Sequence, residues 1–326
     1  MAYDRFGRWI SYLRISLTDH CNLRCVYCMP EGIKFRQRSE LMSDEEILTM
    51  VKLFSRLGFD KFRLTGGEPT IRPGVVDLVQ NIARVPGVRS LTMTTNGVLF
   101  SKLAAQLAKA GLQRVNFSLD TLDLEKYRQM TKKDALQEVF KGIHAAESAG
   151  LTPIKVNVVV MRGYNDEDVI ELANLTVHHP WQVRFIEVMP MGTPAEFQIS
   201  QLVSTDEIRR HLVAILGPLE EINNGILDGE ARLYSLPGAQ GIIGFISSVT
   251  ESFCDHCNRL RLTPDGRLRL CLLREGEVDL LTPLRDGAKP EQIRSLIVEA
   301  IWHKPWGNGL AEGLIPFNRV MSEIGG

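Results

Sequence analysis

Through the first two-thirds of the chain, short β-rich apolar runs alternate with longer stretches of helical periodicity. Tyr12–Leu17, Lys61–Thr65, Ser90–Thr94, Arg114–Ser118, Ile154–Val160 and Gln182–Ile186 predict strands. Ser43–Leu57, Val75–Ala83, Lys102–Ala110, Leu136–Ala149 and Asp166–Val177 predict helices between most of them. Gly58, Gly111 and Gly150 stand just past three of these helices, where a left-handed residue ends the turn. Ser43 and Glu46 form a capping box at the start of the first. Strands separated by helices pair in parallel, because parallel neighbours need a crossover. The repeat is too long for eight units to finish before residue 200. The expected fold is therefore α/β, an incomplete (β/α)6 TIM-like barrel, with its chemistry at the C-terminal strand ends. Unusual residues follow the first three strands: Asp19–Cys28, Thr65–Pro69 and Asn96–Gly97.

Beyond about Gly192 the alternation fades. Ser204–Leu216 predicts a helix, and Ala231–Leu236 and Ile242–Val249 predict strands. Cys254–Cys271 brackets a hairpin turning at Pro264-Asp265-Gly266. A last helix is expected over Pro290–Trp302. Residues 1–230 are thus expected to form the partial barrel. Residues 231–326 are expected to form a smaller C-terminal α+β segment ending in Gly325-Gly326.

The 326 residues are 44% hydrophobic and 24% charged, an ordinary soluble composition, and the formal net charge is −1. No global basic field recruits nucleic acid. No apolar run approaches the roughly 18–20 residues a membrane span needs. Met1–Ile10 carries Asp4, Arg5 and Arg8 and no apolar core of a signal peptide, so a cytoplasmic location is expected.

There are six cysteines, in two distant trios, and in a reducing compartment such spacing reads as metal binding. Cys21, Cys25 and Cys28 fall on a loop after the first strand. Three thiolates around a four-iron cluster leave one iron open to a small molecule. The alternative is a zinc site completed by His20. Cys254, Cys257 and Cys271 make a second trio, C-x2-C-x13-C, for which a zinc ribbon using His256 is the alternative. A residue lodged between two chelating cysteines is poorly placed to bind the same ion. Gly66-Gly67-Glu68-Pro69 follows the second strand, where glycines let the backbone approach a ligand.

Cations recur at strand positions: Arg14, Lys61, Arg63, Lys155, Arg184, Arg259 and Arg261. Lys61 and Arg63 share one face, as do Arg259 and Arg261. Singly, each reads as a solvated edge or an ion pair. Together they suggest a polar cavity that holds an anion, since an unpaired buried charge is costly. There is no P-loop, so phosphate would be held by side chains.

The C-x3-C-x2-C spacing with Tyr27 before the third cysteine resembles the radical S-adenosylmethionine (SAM) signature. The string Phe253-Cys-x2-Cys-Asn-Arg-x-Arg-x-Thr-x-Asp-Gly-x-Leu-x-x-Cys-Leu272 resembles the C-terminal cluster motif of the GTP 3′,8-cyclase family of molybdenum cofactor biosynthesis. The resemblance spans nearly the whole chain. It implies that Cys21, Cys25 and Cys28 hold a 4Fe–4S cluster whose open iron SAM chelates, and that Cys254, Cys257 and Cys271 hold a second one that binds guanine. One electron then cleaves SAM to methionine and a 5′-deoxyadenosyl radical.

The resemblance further assigns Tyr27, Gly67, Ser118 and Met189 to SAM, and Arg14, Arg63, Thr94, Lys155, Arg259, Leu260 and Arg261 to GTP. It assigns Arg14, Arg259, Arg261, Gly325 and Gly326 to catalysis. The implied partners are a reducing electron donor and a downstream cyclic pyranopterin monophosphate synthase, with no nucleic acid or membrane and a monomer or homodimer as the assembly. Two rivals remain at this stage: a peptide-modifying radical SAM enzyme with an auxiliary cluster, and a non-catalytic zinc or iron–sulfur module.

Overall fold

The computed structural model describes residues 2–30, 32–222, 227 and 229–325. Six parallel strands occupy its centre: β1 (Tyr12–Ser16), β2 (Lys61–Thr65), β3 (Ser90–Thr95), β4 (Arg114–Ser118), β5 (Lys155–Val160) and β6 (Gln182–Glu187). The connecting helices are α1 (Asp44–Arg56), α2 (Val75–Ala83), α3 (Ala104–Lys109), α4 (Leu124–Thr131), α5 (Leu136–Ser148) and α6 (Val169–His178). The incomplete barrel expected from the chain's pattern is the observed fold. Parallel strands covered on both faces usually read as continuous apolar runs. Here they alternate. Leu13, Phe62, Met93, Phe117, Val156 and Phe185 are buried in one core with the helices. The other face carries Arg14, Arg63, Thr92, Asn116, Asn157 and Arg184. In register, Arg261, Arg14, Arg63 and Thr92 stand side by side across four strands.

The Ser43 hydroxyl accepts from the Glu46 amide at 3.2 Å, and the Glu46 carboxylate accepts from the Ser43 amide at 2.7 Å. A cap of this kind stabilises α1 by about 1 kcal/mol. Helix α4 has no counterpart in the sequence reading. It is mostly polar, and only Tyr127, Met130 and Thr131 are buried. Asp123 starts it by accepting from the Lys126 amide at 2.8 Å.

The chain continues through α7 (Ala195–Ser200), α8 (Thr205–Leu216), β7 (Glu220–Glu221), β8 (Arg232–Ser235), β9 (Ile242–Ile246), β10 (Arg259–Leu262), β11 (Arg267–Arg269), β12 (Glu277–Asp279), α9 (Leu281–Arg285), α10 (Pro290–Trp302) and α11 (Met321–Ile324). These C-terminal strands extend the same sheet at both edges. β10 pairs in parallel with β1, and β9 pairs in parallel with β6. The result is one 12-stranded sheet in the order β12-β11-β10-β1-β2-β3-β4-β5-β6-β9-β8-β7. Each edge of the six-strand core is thereby covered, and an uncovered edge would present unpaired backbone groups. The outermost strands β12 and β7 do not pair with each other among the described residues, so the barrel stays open. Among the described residues, no helix is long and apolar enough to cross a membrane.

Candidate active site

A cavity of about 260 Å³ lies against the polar face of the sheet, and all six cysteines line it. The first trio sits on the loop after β1. That loop hangs from the C-terminal end of α4: the Arg24 amide donates to the Thr131 carbonyl at 2.9 Å, and the Val26 amide to the Met130 carbonyl at 3.0 Å. Gly67 backs the same loop. A Cβ there would lie 2.0 Å from the His20 carbonyl oxygen, so only glycine fits. Glu68 is fully buried and accepts from the Thr70 amide, the Thr70 and Thr95 hydroxyls and the Asn96 amide at 2.5–3.0 Å. Asn96 in turn reaches the Cys21 sulfur at 3.7 Å and the Asn22 carboxamide oxygen at 2.8 Å. The Gly-Gly-Glu-Pro segment therefore braces the cysteine loop as well as lining the cavity.

Tyr27, Ser118 and Met189 line the cavity beside this trio. The Tyr27 hydroxyl donates to Asp120 at 2.8 Å, and its carbonyl accepts from Gln198 at 2.6 Å. Burial pushes the Cys21 thiol up to about 11 and the Cys28 thiol up to about 12. A bound metal centre would offset this cost by stabilising the thiolates.

The second trio follows β9 and brackets the β10–β11 hairpin. Arg8 anchors it, donating to the carbonyls of Cys254 at 2.6 Å, Pro305 at 2.7 Å and Trp306 at 2.9 Å. Lys304 is 2% exposed, lines the cavity and donates to the Leu270 carbonyl at 2.5 Å. Burial alone raises the Cys257 thiol, but Lys304 and Arg259 outweigh it and bring it down to about 7. Burial raises Cys271 of this trio as it raises the first trio, while Cys257 is lowered by the cations beside it.

Between them lies the cationic wall. Arg14, Thr94, Arg259, Leu260 and Arg261 all line the cavity. The Arg14 Nε and the Thr94 hydroxyl are buried polar atoms without a hydrogen-bond partner. A polar ligand bound against this wall would satisfy both. Arg63 and Lys155 are not on the cavity wall. Arg63 is turned aside, donating to the Thr92 hydroxyl at 3.2 Å with its guanidinium 5.7 Å from the Tyr12 ring. Lys155 is buried at the start of β5 opposite Asn116. With its carboxamide oxygen facing the guanidiniums, Asn116 accepts from Arg63 and Arg184.

The C-terminal tail enters this wall. Gly325 is buried and its carbonyl accepts from Arg261. Arg319 holds the approach to it, reaching Asp265 at 2.9 Å and Glu277 at 2.8 Å, while Arg36 reaches Glu323 at 3.2 Å. Gly326 lies outside the described residues. Asp265, Glu230, Asn157 and Lys304 escaped the sequence reading. Asp265 read only as a turn residue, although its partner Arg319 is 54 positions away. Asn157 could have been found from the polar alternation within β5.

The two histidines considered as zinc ligands lie away from the cavity. His20 is turned away, 44% exposed at its side chain, 2.8 Å from Asp19 and stacked on Phe35. The His256 side chain is 73% exposed and faces Asp255. Neither histidine is on the cavity wall, so neither completes a zinc site there. Among the described residues, no three His, Cys, Asp or Glu side chains gather tightly enough for a single ion. All six thiols line the one cavity, and thiolates are the ligand type that iron–sulfur clusters use.

Residues 15–176 match the model of the radical SAM superfamily, and residues 181–310 match that of Molybdenum Cofactor Synthesis C. The fold is shared with SuiB of Streptococcus suis bound to its precursor peptide SuiA, at 13% identity and a TM-score of 0.68, covering 93% of this chain and 67% of that one. Fold and cysteine loop together define a radical SAM enzyme, a class that works with S-adenosylmethionine and an iron–sulfur cluster. The GTP 3′,8-cyclase of Thermodesulfovibrio yellowstonii is 47% identical over 325 residues, and that of Pelotomaculum thermopropionicum 45% over 324, each covering 99% of both chains. The chain belongs to the GTP 3′,8-cyclase family.

Proposed function

We propose that this chain catalyses the SAM-dependent radical cyclisation of GTP to (8S)-3′,8-cyclo-7,8-dihydroguanosine 5′-triphosphate, the first step of molybdenum cofactor biosynthesis. One observation carries the proposal: two cysteine trios and an arginine wall share a single cavity. Cys21, Cys25 and Cys28 would hold one 4Fe–4S cluster, and Cys254, Cys257 and Cys271 a second. When bound, the first cluster and SAM supply a carbon radical able to abstract hydrogen.

The chain's own residues do the rest. Tyr27, Gly67, Ser118 and Met189 shape the SAM pocket. Arg14, Arg259 and Arg261 neutralise the triphosphate, and arginine's fork suits its oxygens. Thr94 offers its unpartnered hydroxyl, and Leu260, buried in the core behind the two hairpin arginines, fixes their strand. Arg63 and Lys155 contribute charge from behind the wall. Gly325 closes the site by accepting from Arg261 through its carbonyl, and Gly326 is assigned to catalysis with it. In the substrate, the C3′–H bond breaks and a C3′–C8 bond forms. The lost hydrogen atom is made up by one electron and one proton, so the product is an isomer of GTP. An external reductant supplies electrons, and the product passes to a cyclic pyranopterin monophosphate synthase. Residues 1–230 act as the partial barrel and residues 231–326 as the segment that closes it, in a monomer or homodimer in the cytoplasm.

The test is anaerobic incubation of the reconstituted enzyme with SAM, reductant and each nucleoside triphosphate in turn. GTP alone should release 5′-deoxyadenosine and give a nucleotide of unchanged mass and altered ultraviolet spectrum. Equal turnover with ATP, or none with GTP, removes the proposal.

A further inference from the structure

Glu230 occupies the arginine wall at the place assigned above to the triphosphate. One carboxylate oxygen lies 2.8 Å from Arg259 and the other 3.3 Å from Arg14. All three side chains line the cavity, and that of Glu230 is 11% exposed. Only one other carboxylate, Glu68, lines the cavity among the described residues, and it is engaged by four donors. Among the described residues, the ion-pair partners of Glu230 are Arg14 and Arg259. Burial works to raise its carboxyl, but Arg259, Arg14, Arg63 and Arg184 hold it far below the ordinary carboxylate range. The wall needs such a counter-ion. Burial and the charges of Arg14 and Arg259 depress Arg261 well below the usual arginine range. Grouped guanidiniums without an anion carry a large desolvation and repulsion cost. GTP brings several negative charges of its own and competes for the same guanidiniums. A carboxylate left between them would repel phosphate.

We propose that Glu230 is an internal stand-in for phosphate, holding Arg14 and Arg259 poised in the empty site and giving them up when the triphosphate binds. The inference rests on the GTP reading above. It makes Glu230 a positioning residue that also sets selectivity. The more negative charge a ligand brings, the better it competes with the carboxylate, so triphosphates are favoured over monophosphates.

The signature is a pair of effects of opposite sign. In Glu230→Gln the substrate-free holoenzyme should melt a few degrees lower, because the guanidiniums lose their counter-ion. The same variant should bind GTP and inorganic tripolyphosphate about tenfold more tightly, because the competing charge is gone. Equilibrium dialysis and thermal melting under anaerobic conditions read both. Glu230→Asp keeps the charge with one methylene less reach, and should fall between the wild type and Glu230→Gln. It also serves if Glu230→Gln fails to fold. Weaker or unchanged binding of both ligands in Glu230→Gln overturns the inference. Loss of GTP binding with tripolyphosphate unaffected makes Glu230 a contact to the nucleoside and overturns it equally. If the wild type binds neither ligand, the GTP reading itself fails and the inference falls with it.

Discussion

Replacing Gly325 by alanine isolates the role of the tail. Gly325 has φ +85, and a Cβ there would lie 2.2 Å from the Thr65 hydroxyl and 3.1 Å from the Ser16 Cβ. Left-handed backbone costs an L-residue about 1–2 kcal/mol. Overpacking against buried neighbours adds about 1–3 kcal/mol. A combined cost of about 3 kcal/mol lowers the docking equilibrium constant of the tail by roughly two decades, enough to undock a marginally held terminus. The strain falls on the four-residue α11 and its junction, not on the barrel core, so the melting temperature should hardly move. Arg261 would lose its carbonyl partner for most of the time. The expected result in the reconstituted enzyme is a kcat reduced by about 100-fold, with a smaller effect on KM. Amide exchange over residues 321–325 should report the undocked tail directly. Thr65→Ala removes the hydroxyl that the new Cβ meets. The double variant should therefore recover part of the loss when compared with Thr65→Ala alone. Wild-type turnover with a protected tail in Gly325→Ala, or no recovery in the double variant, would refute the steric argument.

Other variants probe the remaining parts of the site. Cys254→Ala should reduce reconstituted iron from about eight to about four per chain while SAM binding persists, and full iron retention counts against a second cluster. Arg14→Ala should weaken GTP binding by about 10- to 100-fold, the cost of a charge-assisted hydrogen bond of about 1.5–3 kcal/mol. Binding that ignores the substitution would move the triphosphate elsewhere. Asp265→Ala leaves the largely buried Arg319 with Glu277 as its remaining partner. A loss of about 1–3 kcal/mol in urea denaturation is expected, with turnover falling further than stability because the tail loosens. Turnover that merely tracks stability would separate Asp265 from the tail.

Much of this architecture is legible locally. The six central strands lie within a residue or so of their expected bounds, because a period-two pattern needs only near neighbours. Helix α1 starts where Ser43 and Glu46 cap it, again a contact over three residues. Helix α4 escaped because its packing face is only Tyr127, Met130 and Thr131, too few to stand out from a polar stretch. The resemblance assigned Arg63 and Lys155 to GTP, and for Arg63 strand parity gave the face of the side chain. Parity does not say which way a long side chain leans, and Thr92 and Tyr12 turn Arg63 aside.

By itself, the chain's pattern determined the parallel half-barrel and the grouping of the six cysteines into two trios, alongside a Gly-Gly turn. These follow from periodicity, spacing and side-chain chemistry, which are short-range properties. Only the tertiary structure decided that the two trios share a cavity. That outcome depends on β10 pairing with β1 and β9 with β6, contacts between segments far apart in the chain. The same pairing sets Arg261 beside Arg14 and brings Glu230 between Arg14 and Arg259. No local pattern encodes such a juxtaposition, because it exists only once backbone hydrogen bonds have joined the two ends of the chain to one sheet.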